Sequence, residues 1–237
     1  MKVKKGDFIE LDFIARLKEN NKIFDLTDEK IAKENNIYDK KHEYHPIIVC
    51  IGNGDVVKGL DKELEDKEVG KDYKIELKPE DAFGKKDAKL FQLVNTNKFR
   101  QENILPYPGL QVNVDNMFGI VRTVSGNRTM IDFNHPLAGK EIIYEFKINN
   151  IIEEDNKKLG SFIDLYLGKN IKFELENGKA IIEMDIPKEI QESLIEKIKS
   201  LIPNIKEIEF KKKEKIEKKQ IEKKDIAENE KNKWIKI

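Results

Sequence analysis

The first part of the chain alternates apolar and polar residues in a way that predicts an antiparallel sheet. The alternation is clearest along 9–15, 73–77 and 142–148, whereas 47–51 is a short, continuous apolar run. A period of two places successive side chains on opposite faces, so each alternating segment predicts a strand with one buried face. The continuous run predicts a buried strand.

A short helix is predicted between the strands at 47–51 and 73–77. Val57, Leu60 and Leu64 have the i, i+3, i+7 spacing of a helix with one apolar face. Gly70 is predicted to close it, since glycine commonly takes the left-handed conformation that ends helices.

The segment 86–134 has a different texture, with few charges and many apolar residues. A proline-rich turn at 106–109 and the turn Ser125-Gly126-Asn127 interrupt it, and the second turn predicts a hairpin between 118–124 and 128–133. We therefore expect a small β-rich insert at this place.

A third pattern begins at Asp155. In order, it predicts a helix over 159–167, a strand over 171–175, the turn Asn177-Gly178, a strand over 180–186, a helix opened by Pro187 and a last strand at 208–210. This order predicts a separate small α+β domain.

The composition of the chain excludes several classes of protein. Basic and acidic residues number 45 each, which excludes a globally basic nucleic-acid coat. The single cysteine, Cys50, excludes an internal disulfide framework. The longest uncharged run is too short to span a bilayer, and acidic residues follow the basic start, so we expect a cytoplasmic protein. Abundant lysine and glutamate suit a thermophile, although genomic base composition gives the same pattern.

The last 27 residues are the most basic part of the chain. The segment 211–237 has 11 lysines and six acidic residues, a net charge of +5. Its isoleucines at 216, 221 and 226 match neither a helical nor a strand period. A charged hydration surface and a tail that docks on a polyanion or a partner, through Trp234 and Ile235, remain alternatives.

Residues for covalent or metal chemistry are sparse. His42, His45 and His135 are the only histidines, and they lack the spacing of a metal site. Cys50 lies between aliphatic residues, which predicts a small, buried, structural side chain rather than a reactive thiol. We therefore predict no metal and no cofactor.

Five short motifs occur in an order that resembles a known family. They are Ile-Phe-Asp at 23–25, Pro-Ile-Ile-Val at 46–49, Gly-Asp-Val-Val-Lys-Gly-Leu at 54–60, Pro-Glu-Asp-Ala-Phe-Gly at 79–84 and the strand around Tyr144. This order resembles the FKBP-type peptidyl-prolyl isomerases. The residues that flank the insert, 81–84 and 134–139, resemble the SlyD-like group. With a C-terminal extension added, the arrangement resembles that of the group's long archaeal members.

The resemblance covers residues 1 to about 152 and implies an α+β fold. An antiparallel half-barrel sheet is expected to wrap around the short helix, with the insert interrupting the flap. The implied domains are an isomerase domain of 1–85 and 135–154, an insert-in-flap chaperone domain of 86–134, and a C-terminal α+β domain of 155–237 with the charged tail.

The resemblance also implies an apolar groove between sheet and helix, in which X–Pro bonds rotate without cofactor. The catalytic residues carried over by position are Phe13, Phe24, Asp25, Val57, Leu60, Phe83 and Tyr144, and Ile47 and Val56 are expected to bind substrate. Taken singly, each aromatic residue is better explained by packing in a core.

Two positions depart from the family pattern. Leu60 stands where family members often have tryptophan, and Phe83 stands where tyrosine is usual. Loss of one hydrogen bond is worth about 0.5–1.5 kcal/mol. We therefore expect a working isomerase that binds the family's macrolide inhibitors less well.

The insert is expected to add a chaperone function by binding unfolded or partly folded polypeptides. Methionine and aromatic residues suit adaptable contacts, and the candidates for this surface are Leu105, Tyr107, Met117, Phe118 and Val121.

Three hypotheses follow. The first is an isomerase with chaperone activity, and the second is a non-catalytic holdase or assembly module that uses the same surfaces. The third is a nucleic-acid or ribosome-associated factor that binds through the lysine tail, although no nucleic-acid partner is predicted from the rest of the chain. Homodimerisation through the C-terminal domain is a further hypothesis, and no membrane partner is expected.

Overall fold

The computed structural model describes residues 1–212 and 235–236. In chain order the elements are β1 (Phe8–Leu17), β2 (Ile23–Leu26), α1 (Glu29–Glu34), β3 (Ile47–Cys50), α2 (Lys58–Leu64), β4 (Asp72–Leu77), β5 (Phe91–Asn95), α3 (Thr96–Gln101), β6 (Gln111–Val114), β7 (Met117–Ser125), β8 (Arg128–Asp132), β9 (Ile142–Ile152), α4 (Asp155–Tyr166), β10 (Phe173–Glu176), β11 (Lys179–Glu183), α5 (Lys188–Leu201), β12 (Glu207–Lys211) and β13 (Ile235–Lys236). Two 3-10 turns, at Pro79–Asp81 and Ala88–Leu90, complete the list.

A curled antiparallel sheet forms the first part of the fold. Its strands lie in the order β2-β1-β9-β4, and β3 also pairs with β1. The helix α2 approaches the face that carries Leu77, since a Cβ added to Gly59 would lie 2.7 Å from the Leu77 side chain. Leu60 and Leu64 are buried on this helix. The predicted half-barrel of an α+β fold is confirmed.

The end of α2 differs from the prediction. The helix ends at Leu64 rather than near Gly70, and Asp66 takes the left-handed conformation with φ of 63°. The reason is a long-range backbone pairing: the Asp66 N–H donates to the Val3 carbonyl, and the Val3 N–H donates to the Lys67 carbonyl. A local periodicity cannot show a partner that lies some 60 residues earlier.

The C-terminal segment folds into a three-stranded sheet with two helices. β10 and β11 form the predicted hairpin, and β11 and β12 are parallel, as a crossover through α5 requires. Its core is continuous with one end of the first sheet, because a single cluster of buried residues contains Phe8, Cys50 and Ile152 together with Phe162 and Ile182. β11 stops at Glu183, three residues before the predicted end.

The chain divides into two compact units. Among the described residues, one contains Met1–Ala82 and 140–212, and the other contains Phe83–Gly139 and the strand β13. The second unit has one sheet in the order β13-β6-β7-β8-β5, with a core that includes Phe99 and Ile131. The predicted β7–β8 hairpin is confirmed. The three predicted domain limits stay predictions.

Much of the charged tail lies outside the described residues, including the isoleucines at 216, 221 and 226 and Trp234. Across the part of the chain that the structure describes, no helix is both long and apolar enough to span a bilayer.

Candidate active site

One row of side chains crosses the first sheet at its centre. Asp25 of β2 pairs in register with Ala15 of β1, Ala15 pairs with Tyr144 of β9, and Tyr144 pairs with Ile75 of β4. Directly opposed residues share a face of a sheet, so these four side chains point the same way. We call Asp25, Ala15, Tyr144 and Ile75 the central row. Residues two apart on a strand share a face, so Ile75 lies on the same face of β4 as Leu77. Because α2 approaches Leu77, the central row lies on the face that α2 covers.

Two aromatic rings form a wall beside the central row. The ring centroids of Phe13 and Tyr144 are 5.9 Å apart and their planes are inclined by 55°. Tyr144 is 5% exposed, whereas Phe13 is half-buried. The two rings therefore present an apolar surface of which one part is accessible.

A bulge places two consecutive residues of β2 beside this wall. Between Ala15 and Arg16 the register of β1 shifts, since Ala15 pairs with Asp25 and Arg16 pairs with Ile23. Phe24 is the extra residue, so Phe24 and Asp25 together oppose Ala15. Bulges of this kind redirect side chains and are frequent beside active sites.

Asp25 is the acidic residue of the central row. Although the residue as a whole is exposed, desolvation of its carboxyl group raises its pKa above the ordinary value, against the opposing effects of the Leu26 N–H and His42. Desolvation and the charge of Asp25 also raise the pKa of the Tyr144 hydroxyl. Tyr144 therefore stays neutral, and the site has an apolar floor with one carboxyl group at its edge.

Leu60 and the loop before α2 complete the site within this unit. Leu60 is 1% exposed and lies beneath the surface, whereas Val56 and Val57 are half-buried. Ile47, also half-buried, pairs with Leu11 on the same face of β1 as Phe13.

The loop from residue 51 to 57 is held by two carboxylates. Asp61 accepts hydrogen bonds from the backbone N–H groups of Gly52 and Gly54 at 2.8 and 3.0 Å. Asp55 accepts from the backbone N–H of Cys50 at 2.7 Å. The position of Val56 and Val57 thus depends on Asp55 and Asp61.

Phe83 belongs to the second unit. Its ring is stacked on His135, with centroids 4.8 Å apart and planes inclined by 2°. Its predicted role as a groove residue stays a prediction.

Four of the five insert candidates are exposed. Leu105 is 80% exposed and Phe118 is 54% exposed, with Tyr107 and Met117 also open to solvent. Val121 is fully buried in the core of the insert. It lies two residues after the buried Gly119 on β7, so its side chain points to the same, inward face. The prediction that Val121 contacts clients is therefore wrong.

Sequence reasoning missed Ala15, Asp55 and Asp61. Ala15 leaves room between the side chains of Asp25 and Tyr144, and a small residue in an otherwise bulky strand was the available signal. Asp55 and Asp61 were indicated only by the turn composition Gly-Asn-Gly-Asp. Within residues 1–212 and 235–236, no three His, Cys, Asp or Glu side chains are grouped so that they could hold a metal ion.

Comparison with known proteins gives two family matches. A model described as FKBP-type peptidyl-prolyl cis-trans isomerase matches residues 1–99, and a model described as FKBP26, IF domain, matches residues 92–137.

Individual relatives agree with these matches. A short-type peptidyl-prolyl cis-trans isomerase of Methanocaldococcus jannaschii is 32% identical over 149 residues, which are 63% of this chain and 94% of the relative. The FKBP-type peptidyl-prolyl cis-trans isomerase SlyD of Helicobacter pylori is 28% identical over 57% of this chain and 69% of its own. An FKBP-type 16 kDa peptidyl-prolyl cis-trans isomerase of Escherichia coli is 26% identical over 45% of this chain and 74% of its own.

Proposed function

The chain belongs to the family of FKBP-type peptidyl-prolyl cis-trans isomerases, and we propose that it rotates X–Pro bonds in a groove beside its central row while its insert binds unfolded polypeptide. The groove comprises residues of the first unit, namely Phe13, Phe24, Asp25, Ile47, Val56, Val57, Leu60 and Tyr144. The observation that carries the proposal is the register that brings Phe13, Asp25 and Tyr144 together on one face.

The reaction needs no acid–base pair, because no covalent bond breaks. Rotation about a peptide bond crosses a barrier of about 18–20 kcal/mol, which is the loss of amide resonance. A twisted imide has less charge separation than a planar one, so an apolar, water-poor surface favours it over the ground state. Binding that is stronger in the transition state is what lowers a barrier.

Two groups can orient the substrate. The Val57 N–H stands at the start of α2, where the first N–H groups of a helix lack an intrahelical acceptor, and we assign it to the carbonyl on the C-terminal side of proline. Asp25 is the charged group at the edge, and we assign it either to the twisted carbonyl carbon or to the orientation of the Phe13 ring.

The exposed apolar residues of the insert support its role in client binding. Leu105, Tyr107, Met117 and Phe118 leave a large apolar area open to solvent in a unit that has its own separate core. Contiguous apolar patches mark interaction surfaces, and we assign these four residues to one such patch. A weak client site joined to the catalytic unit raises the effective concentration of substrate.

Two substrates test the proposal. The full chain and a variant in which a short linker replaces 86–134 are compared on a short proline peptide and on a protein whose refolding is limited by proline isomerisation. We expect the deletion to spare peptide turnover and to slow catalysis on the protein. Protection from aggregation without faster refolding by the full chain would contradict catalysis and support the non-catalytic holdase.

We further infer that two chains associate through the C-terminal segment. Leu165 and Ile190 are exposed apolar residues on its two helices, 46% and 50% open to solvent. Light scattering is expected to give twice the chain mass for the wild type and a single chain for Leu165→Glu with Ile190→Glu. A single-chain mass for the wild type would overturn this inference. A cytoplasmic location and adaptation to heat stay predictions.

A further inference from the structure

A hydroxyl group from the C-terminal segment contacts the loop that precedes α2. Tyr166, the last residue of α4, donates a hydrogen bond to Asp55 Oδ1 at 2.5 Å. The same hydroxyl oxygen accepts from Asn53 Nδ2 at 2.8 Å. These contacts join residues 111 and 113 positions apart in the sequence.

Asp55 also forms hydrogen bonds with residues that precede it in the loop. Its Oδ1 also accepts from Asn53 Nδ2 at 2.6 Å, and its Oδ2 accepts from the backbone N–H of Cys50 at 2.7 Å. The carboxylate therefore ties Tyr166 to the end of β3 on one side. On the other side the chain continues directly into Val56 and Val57.

The ring of Tyr166 is itself held in place. It stacks on Phe162 with centroids 4.7 Å apart, and Lys197 Nζ of α5 lies 4.2 Å from its centroid. Phe162 belongs to the buried cluster that contains Phe8 and Cys50 of the first sheet. Tyr166 is 38% exposed, but its contacts with Phe162 and Lys197 hold the ring so that the hydroxyl group is presented to Asp55.

The Tyr166 hydroxyl group stays protonated and can therefore donate its hydrogen bond to Asp55 at all ordinary pH values. Desolvation, followed by the hydrogen bond to Asp55, raises the pKa of its hydroxyl above the ordinary value. The bond to a carboxylate is charge-assisted, and such bonds are shorter and stronger than bonds between neutral groups.

We propose that Tyr166 is a positioning residue of the isomerase, which acts through Asp55 to hold Val56 and Val57 in the groove. The inference rests on the proposed groove and adds the C-terminal segment to its supporting structure. Removing the hydroxyl group then loosens the loop and misplaces the Val57 N–H without touching the substrate.

Tyr166→Phe tests this role, since it keeps the ring on Phe162 and removes only the hydroxyl group. We expect kcat/KM on a short proline peptide to fall about threefold to tenfold, the range of one ordinary hydrogen bond. The loss is smaller than the full strength of the Tyr166–Asp55 bond, because the loop keeps its bonds from Cys50, Gly52 and Gly54 to Asp55 and Asp61. Ser161→Ala is the matched control, because the Ser161 hydroxyl group on the same helix donates to the Lys158 carbonyl and has no other hydrogen bond within residues 1–212 and 235–236. It should leave kcat/KM unchanged.

Two further measurements distinguish a local positioning role of Tyr166 from a general loss of structure in Tyr166→Phe. In amide NMR spectra of Tyr166→Phe, the signals of Val56 and Val57 should shift while those of β9 stay in place. Tyr166→Phe should also cost no further activity in an Asp55→Ala background. Unchanged activity in Tyr166→Phe, unmoved loop signals, or losses that multiply in the double variant would overturn the proposal.

The groove is tested separately with Phe13→Ala. If Phe13→Ala lowers kcat/KM about tenfold and Tyr166→Phe does not affect it, the positioning role fails and the groove stands. If neither variant affects turnover, the proposed groove fails as well.

Discussion

Phe13 and Tyr144 share one wall although they are not directly opposed on their strands. Tyr144 pairs with Ala15 and Phe13 pairs with Phe146, yet the Phe13 and Tyr144 rings approach to 5.9 Å. The diagonal contact is within reach of aromatic side chains on neighbouring strands. It leaves the small Ala15 between Tyr144 and Asp25, so ring surface and carboxyl group border the same space.

Phe13→Ala is expected to lower kcat/KM on a short proline peptide about tenfold, because the ring is removed and the substrate loses part of the apolar surface it packs against. Ile14→Ala is the matched control, since Ile14 is a half-buried neighbour on the other face of β1, where it packs near Ala32. It should lower the free energy of unfolding without a comparable loss of turnover. Equal losses of turnover in both variants would contradict a groove on the Phe13 face.

Asp25→Asn is expected to stabilise the fold at neutral pH while it reduces turnover. The pKa of Asp25 is raised in the folded state, mainly by desolvation, so ionisation at pH 7 opposes folding. The gain in melting temperature should shrink as the pH falls through the folded-state value and vanish below about 4, the unfolded-state pKa, where both states bind the proton.

Thermal unfolding at pH 7 and pH 3 checks the sign of the Asp25 effect. Asp164→Asn removes an exposed carboxylate from α4 and serves as the control for a simple change in net charge. A gain for Asp25→Asn that is the same at both pH values would refute the electrostatic cause.

Alternation along the chain was enough to predict the sheet and to place Phe13 and Tyr144 on its buried face. It did not reveal that Phe24 and Asp25 border the site together, because a strict period of two sends neighbours to opposite faces. The bulge that brings them together depends on the pairing of β1 with β2, which is a tertiary property. The link from Tyr166 to Asp55 was beyond reach for the same reason.

Tyr107→Ser combined with Phe118→Ser is expected to weaken client protection several-fold and to leave short-peptide turnover unchanged. Both side chains are exposed, so their loss removes binding area without opening a cavity. Val121→Ala offers the contrast, because Val121 is fully buried and its truncation should destabilise the insert by about 1–3 kcal/mol. Aggregation assays and urea unfolding measure the two effects, and undiminished protection by the double variant would count against this surface.

Asp132→Asn is expected to destabilise the insert by about 1.5–3 kcal/mol at neutral pH, since hydrogen bonds to a charged group are lost. Burial of this carboxyl group opposes its ionisation, but Lys86 at 2.8 Å, Asn134 and Arg122 outweigh that effect and hold its pKa below the ordinary value.

The pH dependence of Asp132→Asn follows from the lowered pKa. In the wild type, the ionised Asp132 stabilises the insert fully at pH values above the unfolded-state pKa of about 4. This stabilisation is lost as the pH falls towards the folded-state pKa. Hydrogen exchange of the β7 and β8 amides should therefore show a difference from wild type at pH 7 that narrows in acid. A difference that persists unchanged below pH 3 would contradict the role of the charge.

Gly59→Ala tests whether the close approach of α2 to β4 matters for the site. An added Cβ would lie 2.7 Å from Leu77 Cδ2 and 2.8 Å from the Asp81 backbone oxygen, so either α2 or the Asp81 backbone must shift. Alanine gains about 1 kcal/mol of helix propensity over glycine, whereas overpacking typically costs about 1–3 kcal/mol. We expect a net loss of stability and, because Leu60 follows directly on the same helix, a lower kcat/KM.

Lys58→Ala is the control for Gly59→Ala, since Lys58 is exposed at the start of the same helix. It should leave melting temperature and turnover almost unchanged. Adding Leu77→Ala to Gly59→Ala removes one obstacle but not the Asp81 carbonyl group, so activity should return only in part. A Gly59→Ala protein that is more stable than wild type and fully active would show that helix propensity outweighs the contact, and that the placement of Leu60 tolerates movement of α2.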